Sequence, residues 1–224
     1  MFRRDTHAME PDWIDLQRRA EERYGDGERR LPDGGDERQR QLTRMGNAAG
    51  AAGLAALMAG ADGREWLGRA AERYRESWEG APPGSWGRPI GAIKARVLAG
   101  DWNGAAADAR WALESGAGEA ESPIGRYAAA LACLVLGDWD DARVHADVAR
   151  VHESFPADVG DALAFIAAEA VVDYVEAVER VLESFETREE YLEDIPVADT
   201  VLVLQALAGR RGMAAELRSP LLPD

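Results

Sequence analysis

Apolar positions along this 224-residue chain recur three and four apart almost throughout, and no window alternates with period two long enough to suggest a strand. Trp13, Leu16, Ala20 and Tyr24 share one face of a short helix, with Pro11 and Asp12 where helices begin. Gly25-Asp26-Gly27 and the run Pro32 to Asp36 predict a loop after it. From about Leu42 the helical pattern runs nearly to the end, broken at Gly60–Gly63, Gly80–Gly91, Gly116–Pro123, Phe155–Asp158 and Asp194–Pro196. The pattern predicts an all-α chain of at least seven helices. Residues 1–40 read as a polar N-terminal arm with one short helix, and residues 41–224 as a single helical-repeat domain.

Near the C-terminus the two faces of one helix separate cleanly. Val171, Val175, Val178, Leu182 and Phe185 lie on the side expected to be buried. Glu169, Asp173, Glu176, Glu179, Glu183, Glu186 and Glu190 lie opposite, a carboxylate stripe expected along a helix of about 20 residues. Pro196 opens a last helix from Val197 to about Arg211, with Val201, Leu202, Leu204 and Leu207 as its apolar face. Arg210 and Arg211 suit the negative end of that helix, and Gly212 can terminate it. The tail from Leu217 to Pro223 is too apolar to hang free and is expected to pack on the last hairpin.

The pattern also repeats. Gly100-Asp101-Trp102-x-x-Ala105 returns 37 residues later as Gly137-Asp138-Trp139-x-x-Ala142. A weaker echo, Asp173-Tyr174-x-x-Ala177, follows 35 residues on, and Trp66 precedes Trp102 by 36. Such a period is that of stacked helical hairpins. Each part of the motif has a structural task. The glycine can take the left-handed conformation that ends a helix, and the aspartate can cap the next one. The tryptophan can pin the turn, and Ala105/Ala112 and Ala142/Ala149 leave room for two helix axes to approach. On these residues the chain resembles the tetratricopeptide family over roughly residues 88–186. It departs from that family at Arg126, Ala130 and Cys133, where an aromatic and a glycine are usual. The resemblance implies antiparallel hairpins stacked as a short α-solenoid, serving as a protein-binding scaffold.

Composition reinforces the helical reading: there are 42 alanines, the best helix former. Of 26 basic residues only Lys94 is lysine. Charge adds something periodicity does not. The net charge is −15, with −1 carried by residues 1–118 and −14 by residues 119–224. Uniform adaptation to salt would acidify both halves. The asymmetry instead points to the stripe from Glu169 to Glu190 as a docking surface for a basic protein, set against the plainer reading of a solvated helix face. Acidity of this size argues against nucleic acid as the main partner.

Candidate chemistry is sparse. The single cysteine, Cys133, lies in an apolar helical run and reads as a small buried residue. His145 and His152 are two helical turns apart, too far to share a metal, and Val148 and Ala149 stand where further ligands would be needed. No phosphate-binding loop or nucleophile elbow occurs on a strand-to-helix turn. The expectation is a protein without catalytic activity, cofactor or metal. Met1 to Asp5 opens polar sequence rather than a signal peptide, and the longest uncharged stretch, Met45–Ala61, is glycine-rich and short for a membrane span. Gly46-x-x-x-Gly50 within it reads as close packing in a helix, and a cytoplasmic location without membrane contact is expected. The one loop of unusual composition, residues 80–91, carries Trp86. It either closes an end of the core or rims a pocket, and a small-molecule-binding helical domain using that pocket is the alternative to a protein-binding module.

The chain's end has a second resemblance. Ala206-Leu207-Ala208, Arg211-Gly212 and Ser219-Pro220-Leu221-Leu222-Pro223, following a charged helix, resemble the close of the immunity protein 49 family, all-helical antidotes of bacterial polymorphic toxins. The match spans about 40 residues. It implies stoichiometric binding of a toxin domain, with the acidic half of this chain facing a basic partner.

Overall fold

The computed structural model describes residues 11–223 and builds ten α-helices, with no strand among the described residues. They are α1 (Trp13–Arg29), α2 (Gly35–Met58), α3 (Arg64–Trp78), α4 (Gly87–Leu98), α5 (Trp102–Glu114), α6 (Pro123–Leu136), α7 (Trp139–Arg150), α8 (Ala157–Ala168), α9 (Val171–Glu186) and α10 (Asp199–Gly209). The reading made of Met1 to Asp5 lies outside the described residues.

Asp12 starts α1 as expected, its side chain accepting from the Asp15 N–H at 3.0 Å. The loop expected at Gly25-Asp26-Gly27 is instead the last part of α1. A β-carbon on Gly27 would stand 2.7 Å from Gln41 and Met45 of α2, so the glycine serves close helix packing rather than a turn. The boundary placed at residue 40 falls inside α2, against which α1 buries Ala20 and Tyr24.

Each helix from α1 to α9 packs on the next, and α2, α4, α6 and α8 also touch in succession. These four make an inner layer, with the odd-numbered helices outside it. α6 is the most enclosed, nine of its fourteen residues being buried. Alanine sets the spacing between layers: Ala105, Ala109 and Ala112 of α5 and Ala142, Ala146 and Ala149 of α7 are all buried. In the stretch Met45–Ala61, Gly46 takes the ring of Tyr74 from α3, which a β-carbon would approach to 3.0 Å. Gly91 of α4 receives the other side of the same ring.

The turns between α4 and α5 and between α6 and α7 are alike. Gly100 (φ 69°) and Gly137 (φ 86°) are left-handed, and the N–H groups of Asp101 and Asp138 bond back to Arg96 and Cys133 carbonyls, both at 2.9 Å. Asp101 also caps α5 through the Gly104 N–H, whereas Asp138 makes no such cap bond. Trp102 and Trp139 open their helices at equivalent positions but are half-buried, not enclosed as the repeat suggested. The echo at Asp173-Tyr174 is not a third copy. The third turn sits three residues earlier, where Glu169 (φ 58°) takes the glycine's place and the Ala170 N–H bonds to the Phe165 carbonyl at 3.0 Å. Tyr174 is fully buried one turn further along α9, donating to Gln205 at 2.7 Å.

After α9 the chain crosses the inner layer. Residues 187–198 run back as far as α1 and α2, where Glu193 meets Arg23 of α1 at 3.1 Å, and α10 then packs on α4, α8 and α9. The tail returns along α10, with the Ala198 N–H bonding to the Leu221 carbonyl and Gln205 bonded in both directions to Ala215. It closes on α9 through Ser219, which donates to Glu186 at 2.7 Å.

Candidate functional site

The carboxylate stripe is shorter than its spacing suggested. α9 has 16 residues, so Glu169 precedes it and Glu190 follows it. Glu169 pairs with Arg211 at 2.8 Å, Glu186 holds Ser219, and Glu190 faces the inner cleft described below. Asp173, Glu176, Glu179 and Glu183 remain together on the exposed side of α9, with no ion pair among the described residues. The buried side differs as well. Val171 is exposed, and the face is made by Tyr174, Ala177, Val178, Val181, Leu182 and Phe185. Val178, Leu182 and Phe185 are buried as expected, but the face extends towards Tyr174, Ala177 and Val181 rather than towards Val171.

The carboxylates do not stand alone. Val144 and Val148 of α7, Val151 just past its end, and Val171 and Val172 of α9 are 44–79% exposed, five of the eight large apolar side chains exposed among the described residues. The first three are four and three apart and share one outward face. Asp161 of α8 joins the two outer helices, receiving Arg150 from α7 at 2.8 Å and Arg180 from α9 at 4.0 Å. Arg180 also holds Asp158 at 2.7 Å. The result is an outer surface with exposed valines among carboxylates, to which α7 adds the exposed Asp140 and Asp141. The valines were legible in the sequence as apolar positions outside the buried stripe of α7, but only the packing shows that nothing covers them.

On the opposite side, between the inner helices and residues 185–200, lies a half-open cleft of about 660 Å³. Lys94 of α4 and Asp199 of α10 meet in it, Nζ to Oδ2 at 2.5 Å, and the same ammonium donates to Thr200 Oγ1 at 3.1 Å. Burial pushes the Lys94 ammonium down and Arg188 adds to that, but Asp199 and Tyr127 together hold the group above its ordinary value. The phenol of Tyr74 donates to Asn47 at 2.8 Å, and Tyr127 stands close enough to feel the charges of Lys94 and Asp199. Burial raises both phenols above the usual range. At the rim, Arg88 donates to Ser77 and Gln39, and Arg188 stacks on the Phe185 ring at 3.7 Å. The 80–91 loop does both things considered for it. Trp86 is buried, 5.5 Å from Trp78, and the backbone around it rims the cleft.

The histidines stay apart. His145 lies 3.3 Å from Arg126 and is held below its ordinary pKa, first by burial and then by that cation, while His152 bonds Ser154 within its own turn. Burial pushes the Cys133 thiol up to about 11, with Asp141 and Asp138 adding to it, so it stays protonated at neutral pH. Among the described residues no three potential ligands cluster as a metal site, and no helix is long and apolar enough to cross a membrane. No protein-family model, curated protein or solved structure matches the chain.

Proposed function

We propose that this chain is a non-catalytic protein-binding module that receives a basic partner on the outer surface of α7 and α9. The observation that carries the reading is the coincidence on those helices of exposed valines with unpaired carboxylates. Charge alone speeds encounter but gives little lasting affinity, whereas uncovered apolar side chains inside a charged rim supply what an interface core requires. Like charges three and four apart each cost α9 a few tenths of a kcal/mol. Binding a partner of opposite charge offsets that cost. The resemblance of the C-terminal segment to the immunity protein 49 family supports a toxin domain as the partner, neutralised by stoichiometric association.

The test uses the protein encoded by the neighbouring reading frame, since an antidote is encoded beside its toxin. Co-expression should relieve any growth defect that protein causes and yield a one-to-one complex. Replacing Glu176, Glu179 and Glu183 by lysine leaves the buried face of α9 untouched. It should slow association about tenfold at low salt, with the difference fading near 1 M as the screening length falls to about 3 Å. Val148→Ser with Val151→Ser should mainly speed dissociation. Equal association rates for wild type and the charge variant at low salt would reduce the stripe to a solvated helix face.

A further inference from the structure

We propose that the inner cleft is a binding site for a small amphipathic anion: an apolar body carrying one carboxylate. The site is separate from the surface on α7 and α9, and its test requires no partner protein.

The size is right for such a molecule, since ligand cavities commonly hold about 300–1,000 Å³ and this one measures about 660 Å³. Its walls are mainly apolar, with Leu54, Ile90 and Phe185 among them, and Gly50 and Ala51 of α2 leave the inner side open. A molecule lying there removes apolar surface from water at both faces.

The charges decide the sign of the ligand. Five charged side chains of the chain line the cleft besides Glu193: Arg88, Lys94, Arg188, Glu190 and Asp199. Lys94 and Asp199 neutralise each other at 2.5 Å, and Glu193 is answered by Arg23 at 3.1 Å. That leaves two guanidiniums, Arg88 and Arg188, against the one carboxylate of Glu190. Neither guanidinium has a carboxylate partner among the described residues: Arg88 bonds only neutral oxygens, and Arg188 lies on an aromatic ring. Over the whole lining cations and carboxylates balance three to three, but Arg88 and Arg188 are the cations left without a carboxylate partner among the described residues. A carboxylate supplies the missing countercharge in the planar geometry a guanidinium prefers, and the ammonium of Lys94 and the phenol of Tyr127 stand beside it as further donors.

The probe is anilinonaphthalene sulfonate, an aromatic anion whose fluorescence rises in apolar surroundings. It should bind the native protein saturably, one per chain. Decanoate should displace it, and decyltrimethylammonium, with the same apolar chain and the opposite charge, should not. Arg188→Glu changes an exposed side chain and should weaken both anions about fivefold, with Arg188→Ala intermediate and the melting temperature of the unliganded protein unchanged. Val148→Asp on the outer surface should leave probe binding as it was. The proposal is overturned if the probe does not saturate, if the cationic amphiphile competes as well as decanoate, if Arg188→Glu binds like wild type, or if Val148→Asp abolishes binding.

Discussion

The guanidinium of Arg211 lies 4.3 Å from the ring centre of Trp139, and its N–H groups reach the Ala167 carbonyl at 2.7 Å and Glu169 at 2.8 Å. Its neighbour repeats the arrangement one hairpin earlier: Arg210 stands 4.5 Å over Trp102 and donates to the Val135 carbonyl at 2.9 Å. Two consecutive residues at the end of α10 thus cover the tryptophans that open α5 and α7 and satisfy carbonyls left free at the ends of α6 and α8. The last helix is fastened to the repeat by the repeat's own signature residue.

That arrangement makes Trp139→Ala less costly than the loss of a fully enclosed indole. With the ring half-buried, about 2 kcal/mol is expected rather than the 3–5 kcal/mol of a core tryptophan. A double-mutant cycle with Arg211→Ala, followed by chemical denaturation, should show a coupling of about 0.5–1 kcal/mol between the two side chains. Strict additivity would mean the stacking contributes nothing.

The three equivalent turns predict opposite responses to glycine. At Gly100 a β-carbon meets nothing within 4 Å, so Gly100→Ala should cost about 1 kcal/mol from the left-handed backbone alone. Glu169 already bears that strain at φ 58°. Glu169→Gly should therefore be neutral or slightly stabilising, despite losing the exposed contact with Arg211. Thermal unfolding of the two variants beside wild type checks the contrast, and a drop in both melting temperatures would contradict it.

Breaking the ion pair in the cleft should be worse than removing it. Lys94→Met leaves Asp199 without its cation in a partly dry site, and about 2–3 kcal/mol of stability should be lost. Lys94→Met combined with Asp199→Leu should recover most of that loss in urea unfolding.

His145 sets a pH dependence whose sign follows from its depressed pKa. In the unfolded chain the ring takes a proton near its ordinary value of 6.5, while in the folded chain burial and Arg126 oppose it. The unfolded state therefore binds more protons, and stability falls as pH drops below about 6.5 towards the folded value. His145→Asn should flatten that part of the stability profile, and melting temperatures from pH 7.5 to 5.5 would reveal it. Parallel profiles for the two proteins would exclude His145 as the titrating group.

Helix content was legible because the apolar spacing and the alanines act locally, and the turns at Gly100 and Gly137 because a left-handed residue followed by a cap is a local solution. The loop expected at Gly25–Gly27 went the other way, since the same glycines that favour a turn also permit α1 and α2 to approach, and only the partner helix chooses between the two. The cleft left almost no trace in the sequence. Lys94 and Asp199 are 105 positions apart, and the one hint read from the sequence was the unusual composition of the 80–91 loop, which does rim the cleft.

The sequence by itself determined the all-α class, the placement of most helices, two of the hairpin turns and the lopsided charge, because periodicity, caps and composition need no knowledge of distant neighbours. Tertiary structure decided the rest. It put the third turn at Glu169, taking the ends off the carboxylate stripe, and it extended the buried face of α9 towards Tyr174, Ala177 and Val181. It left the valines of α7 uncovered, and it turned the C-terminal segment back across the inner layer to close a cleft around Lys94. Each of these depends on which surfaces meet, and burial, unlike propensity, is a property of pairs of segments that the linear order does not bring together.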